Sequence, residues 1–206
     1  MTIALFSGRP PGGASVTYAT WNPADKGTNV VLSNGDLTAA VTSAALNNIV
    51  RSTIGKSTGK WYWEYTITSF VTTQPLVGVA NASATLVGSG FNFCGFDANG
   101  WGYYGNNGQK YTGGVGAAYG LGYTTNDVIG VALDMTNGKV FFAKNGTWQN
   151  SGDPVAGTGA AFTGLTGTLY ACGPGAGSDS QTVTANFGAT AFAQTVPTGY
   201  NSGLYS

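Results

Sequence analysis

The sequence predicts an all-β sandwich, and three observations carry that prediction. Asn-Gly is the strongest short hairpin signal, because both central positions of a type I′ turn need positive φ. It occurs five times, at Asn34, Asn99, Asn107, Asn137 and Asn145. Around these turns lie short runs of β-branched and aromatic residues, spaced as in sandwiches and barrels. Glycine supplies 34 of 206 residues, and the best helix candidate, residues 37–49, is interrupted by Thr and Asn and reads equally as two strands.

Taken in order, residues 1–17 read as an arm. Gly8-Arg9-Pro10-Pro11-Gly12-Gly13 sets donor-less prolines among flexible glycines, which suits neither a helix nor a central strand. Residues 18–206 show no second change of composition and no internal repeat, so they read as one domain. Trp61-Tyr62-Trp63-Glu64-Tyr65-Thr66-Ile67 alternates. Trp61, Trp63, Tyr65 and Ile67 fall on one face and Tyr62, Glu64 and Thr66 on the other, the period of a half-buried strand. Further strands are expected at residues 76–80, 100–105, 128–135, 139–144, 169–172 and 182–187. The glycine-rich run 113–122 is expected to be a flexible surface loop.

Composition excludes several function classes. Eight basic and eight acidic residues leave no clustered positive charge for phosphate neutralisation, so no nucleic-acid partner is expected. The chain has no histidine, hence no Ser-His-Asp or Cys-His chemistry and few routes to zinc. Asp25 and Asp36 are not spaced as in a calcium loop, and neither a metal nor another cofactor is expected. No apolar run is long enough for a membrane span. Ile3-Ala4-Leu5-Phe6 is too short for a signal peptide, so Cys94 and Cys172 are expected as two reduced, buried thiols. Gly55-Lys56-Ser57 lacks the earlier glycine of a phosphate loop, where Val50 stands, and reads as a turn into a strand.

Two groups of side chains are candidates for chemistry. Glu64 is the carboxylate worth testing for glycoside hydrolysis, set against a structural reading in which it pairs with a nearby Lys or a hydroxyl. Tyr103, Tyr104, Tyr111, Tyr119 and Tyr123 cluster among glycines and asparagines. They could form exposed platforms for sugar faces or a rigid protein interface. Against that, strand alternation buries every second one.

Gly59–Tyr65, Val77–Ala80, Gly100–Tyr103, the stretch from Asp127 to Gly146 and Val183–Gly188, taken in that order, resemble the SPRY domain family. Gly59-Lys60-Trp61-Tyr62-Trp63-Glu64-Tyr65 is similar to that family's aromatic strand, and Val77-Gly78-Val79-Ala80 to the strand after it. Gly100-Trp101-Gly102-Tyr103 resembles a third element. The stretch from Asp127 through Asp134 and Gly138 to Asn145-Gly146 resembles the family's most distinctive hairpin, and Val183-Thr184-Ala185-Asn186-Phe187-Gly188 its last strand.

The resemblance implies a bent sandwich of two antiparallel sheets, a binding module without catalytic residues, and recognition by loops at one edge. Phe91 matches an aromatic contact position in the loop after the Val77–Ala80 strand. A second contact loop, residues 173–180, contains Asp179 and is otherwise built of small residues, with neither Trp nor Arg. The residues put forward for binding are thus Phe91, Tyr103, Tyr104, Tyr111, Tyr119 and Asp179.

Low charge and the lack of zinc-binding or coiled-coil segments resemble bacteriophage virion proteins more than eukaryotic ubiquitin-ligase adaptors. The expectation is a capsid-decoration or tail-associated protein, assembled in the host cytoplasm. It would dock on other virion proteins, or on copies of itself, through its arm and loops. The alternative is recognition of a cell-surface glycan by the Tyr-rich loops.

Overall fold

The computed structural model describes residues 16–41, 48–71, 75–87, 92–175 and 180–206. Among them every regular element is a strand, in two sheets. The first sheet runs, edge to edge, through β1 (Trp21–Lys26), β4 (Ile49–Lys56), β13 (Leu169–Pro174), β6 (Leu76–Ala80), β7 (Gly100–Tyr104), β8 (Lys110–Thr112) and β9 (Val115–Ala117). The second runs through β12 (Thr147–Trp148), β11 (Lys139–Lys144), β10 (Val128–Asp134), β5 (Lys60–Phe70), β14 (Gln181–Asn186), β3 (Thr38–Val41) and β2 (Val30–Ser33). A short β15 (Asn201–Ser202) lies parallel to β5; the other pairings are antiparallel.

The alternation expected for β5 is present and longer than expected. Trp63, Tyr65 and Ile67 enter the main core between the sheets, with Trp61 packed half-buried at its margin. From the opposite sheet come Trp21, Val77, Val79, Tyr103 and Ala171. Tyr65 donates its hydroxyl across the sandwich to the Gly78 carbonyl at 3.1 Å. The outer face of β5 is covered too: Tyr62, Phe141 and Tyr200 form a second cluster, with Trp148, Phe192 and Val196 packed on it. The segment after β14 therefore belongs to the domain. Tyr18 and Tyr205 form a bridge that ties the described start of the chain to its end.

The Asp134 hairpin follows the expected turn chemistry. The Asp134 carboxylate accepts the Thr136 and Asn137 amides, both at 3.0 Å, while Gly138 takes φ +62°. Three readings need correction or completion. The 113–122 run is not all loop: Gly113 and Gly114, at φ +59° and +73°, turn β8 into β9. The 37–49 candidate contains no helix among its described residues: after the turn at Leu37 it holds all of β3, and its last residue, Ile49, opens β4. β1 was not among the expected strands; it carries Pro23, which an edge strand tolerates. Most of the proposed arm, residues 1–15, lies outside the described residues.

Candidate binding site at the loop end of the sandwich

One end of the sandwich is assembled from connections between the sheets. In the second sheet Val41, Gln181 and Phe70 stand in one row, with Gln181 registered to both neighbours. In the first sheet Pro174 is registered to Ile49, and Leu76 to Tyr104. The connections 42–48, 71–75 and 175–180 each run from the first row to the second, or back, so both rows share one end of the molecule. The β7–β8 turn also opens there, directly after Tyr104.

The roots of three loops meet at Gly175. A Cβ on that residue would stand 2.6 Å from Ile49 Cγ2, 2.7 Å from the Asn48 carbonyl and 2.8 Å from the Asn92 carbonyl. Only glycine lets Asn48, Asn92 and Gly175, the described ends of three connections, approach so closely. Asn48 and Asn92 are buried at this junction. Phe91 and Asp179 lie outside the described residues, but the loops that carry them are rooted side by side.

Four aromatic rings extend this end over the outer face of the first sheet. Tyr104 and Tyr111 meet edge to face at 5.8 Å, Phe93 and Tyr111 at 5.6 Å, and Phe93 and Phe96 at 5.6 Å. Tyr104, Tyr111 and Phe93 are half-buried, and Phe96 is 38% exposed. Burial, followed by the nearby Tyr111, pushes the Tyr104 phenol above its ordinary pKa. Tyr111 donates to Gln109 Oε1 at 2.9 Å, which holds the ring upright. Phe93 and Phe96 were not among the sequence candidates; no period marks them, because they sit in irregular chain that only the tertiary fold lays on the sheet.

Two of the candidate tyrosines are elsewhere. Tyr103 is wholly buried, stacks on Phe142 at 5.5 Å and gives its hydroxyl to the Leu121 carbonyl. Tyr119 is 8% exposed, and its hydroxyl accepts the Phe142 amide at 3.1 Å. Both are core residues and cannot stack on a ligand. The pleat is the reason for Tyr103, since it turns Tyr103 inward and Tyr104 outward. Tyr123 is buried as well, its hydroxyl between the carbonyls of Pro75 and Tyr103 at 2.7 and 2.8 Å.

Glu64 is structural. It is 3% exposed and receives the Tyr62 hydroxyl at 2.9 Å, the Ala193 amide at 2.9 Å and the Gln194 amide at 2.8 Å. Those donors occupy it as the pin of the segment after β14. Among the described residues no three His, Cys, Asp or Glu side chains lie close enough together to hold a metal ion.

Comparisons with known proteins agree with this architecture. The family profile of the SPRY domain matches residues 60–190. Ran-binding protein 10 of Danio rerio is 30% identical over 181 residues, covering 84% of this chain and 28% of that protein. Ran-binding protein 9 of Xenopus laevis is also 30% identical over 181 residues, covering 84% of this chain and 30% of its own length. The chain thus spans less than a third of these relatives. The SPRY domain of human HERC1 superposes with a TM-score of 0.63 at 21% identity, covering 80% of this chain and 96% of that one, a likeness of fold. These proteins are eukaryotic and lend no support to a bacteriophage type. SPRY domains mediate contacts between proteins. With the profile matched over most of the chain and the two-sheet sandwich in place, the chain belongs to the SPRY domain family.

Proposed function

We propose that this chain is a non-catalytic binding module that takes a short, largely uncharged segment of a partner protein at the loop end. The observation that carries the reading is the convergence of three loop roots on Gly175 beside the Tyr104–Tyr111–Phe93 rings. Aromatic side chains in a partly buried setting supply contact area at small entropic cost, and such anchors dominate binding energies. Membership of an interaction-domain family supports the same reading.

Selection from a random peptide library displayed on yeast, followed by calorimetric titration, tests it. Tyr104→Ala and Tyr111→Ala should each weaken a selected peptide about tenfold or more. Full affinity in both variants rejects the site.

The finer expectation of a virion component rests on the sequence: 8% charged residues, no histidine, no recognisable zinc-binding or coiled-coil segment, and the Pro/Gly-rich arm. Mass spectrometry of purified particles is its test, and absence of the polypeptide rejects it. Glycan recognition by the Tyr-rich loops would have to rest on Tyr104 and Tyr111, since their companions are in the core.

A further inference from the structure

A single row of residues crosses five strands of the first sheet. Arg51 on β4 is registered to Cys172 on β13, Cys172 to Gly78 on β6, Gly78 to Gly102 on β7, and Gly102 to Tyr111 on β8. Residues in register share a face, and here it is the outer one. Arg51 is buried and donates there to the carbonyls of Asn81 at 2.8 Å and Ala84 at 3.1 Å. At the other end Tyr111 packs against Phe93. The described parts of the connection from Asn81 to Asn99, residues 81–87 and 92–99, are therefore each fastened to this row.

In the middle, two glycines leave the row flat. A Cβ on Gly102 would stand 2.0 Å from the Cys94 carbonyl, so the Cys94 backbone rests directly on the sheet. Its thiol reaches back over β6, donating toward the Val79 carbonyl at 3.3 Å. Val79 directly follows Gly78, which is registered to Cys172. The two thiols share one buried cluster with Ile49, Leu76, Ala80 and Ala84, and both are free. Cys172 is among the groups that raise the Cys94 thiol, after burial, and the two side chains pack in the same small cluster.

We infer that Cys94 and Cys172 form an oxidation-dependent cross-link that bolts the 81–99 connection to β13. The oxidant is a small peroxide. One thiolate attacks a peroxide oxygen and breaks the O–O bond, leaving a sulfenic acid, and the displaced hydroxide takes up a proton to leave as water. The second sulfur then attacks the sulfenic sulfur. The S–S bond forms, the S–O bond breaks, and a second water carries away the remaining thiol proton. Sulfur is oxidised and peroxide reduced, and two thiols plus one peroxide become one disulfide plus two waters. Burial holds the Cys94 thiol above its ordinary pKa, so reaction waits on transient lifting of the connection. The cross-link is accordingly slow to form and, once formed, shielded.

Its consequence for ligand affinity rests on the proposed binding site, because Phe93 and Phe96 ride on the bolted connection. The cross-link itself is read by mass and stands or falls separately.

Folded protein treated with hydrogen peroxide, digested without reductant and analysed by mass spectrometry should yield Cys94 and Cys172 peptides joined and lighter by two hydrogens. Dithiothreitol should separate them. Amide hydrogen exchange across 81–99 should slow in the oxidised form, and Cys172→Ser or Cys172→Ala should give no joined peptide. Two free thiols persisting in the folded protein while a urea-unfolded control oxidises would overturn the inference. So would separate sulfinic acids on the two cysteines.

Discussion

Glu64 accepts the hydroxyl of Tyr62, two residues before it on the same strand, and the pair together anchors the segment that follows β14. Phe192 meets Tyr62 edge to face at 5.0 Å, so apolar packing and the carboxylate grip the same stretch of chain. Glu64→Gln puts an amide donor where Tyr62, Ala193 and Gln194 all donate. One buried donor then loses its acceptor, at a cost of about 1–3 kcal/mol. Urea denaturation should show this loss, and hydrogen exchange should show faster exchange at Ala193 and Gln194. Unchanged stability would refute the pinning role.

Arg51 and Asp25 form a two-pronged pair, Nε and Nη2 each 2.8 Å from a carboxylate oxygen. The Arg51 side chain is 7% exposed and that of Asp25 32%. Removing the guanidinium leaves the Asn81 and Ala84 carbonyls without their donor and the Asp25 carboxylate with water alone. Arg51→Ala should therefore cost about 3 kcal/mol, and Arg51→Lys should recover only part, since a point charge cannot fork. Asp25→Asn should cost less, because Asp25 keeps access to water. Equal costs for Arg51→Ala and Asp25→Asn would show that the carbonyl contacts contribute nothing.

These two sites mark what was readable in the sequence. β5 was legible because a strand covered on both faces still alternates large side chains toward the main core. The Asp134–Gly138 turn was legible because its hydrogen bonds are local. Glu64 was legible as structural in kind, paired with a hydroxyl, though not in its backbone partners, which lie about 130 residues away. Arg51 gave no signal, since its role depends on registers among five strands. Tyr119 misled because it follows β9 in irregular chain, where no period says which way a ring points. Of the binding candidates, Tyr104 and Tyr111 remain at the surface because each sits on a strand whose pleat turns it outward.

Stability should be flat between about pH 5 and 8, the window that histidine would otherwise disturb. Burial alone would raise the Asp134 carboxyl, but hydrogen bonds from Asn137 and Lys60 outweigh it and hold the group below its ordinary value. Asp127 is likewise lowered, burial being overcome by bonds from the Thr124 amide, Asn145 and Lys144. A depressed carboxyl stabilises above its unfolded value of about 4 and loses that contribution as pH falls. On the alkaline side burial raises Cys94, Tyr65 and Tyr123. Burial, then the charge of Glu64, raises Tyr62. Raised groups stabilise below their unfolded values, about 8.5 for thiols and 10 for phenols, and lose that contribution above them. Calorimetric melting from pH 3 to 11 should trace a plateau with two falling edges. A step in Tm near pH 6.5 would contradict it.

Adjacent tyrosines on β7 should separate stability from binding. Tyr103→Ala removes a wholly buried ring stacked on Phe142 and should cost about 3–5 kcal/mol. Tyr104→Ala removes a half-buried ring at the loop end and should cost about 1 kcal/mol, while abolishing most peptide affinity. Phe93, Phe96, Tyr104 and Tyr111 carry no charge at neutral pH, so few ion pairs are available for salt to screen. The affinity of a selected uncharged peptide should change less than about twofold between 50 and 500 mM salt. A steep fall with salt would move the contact to the lysines, of which Lys110 and Lys144 are bonded to the carbonyls of Ala161 and Gly122.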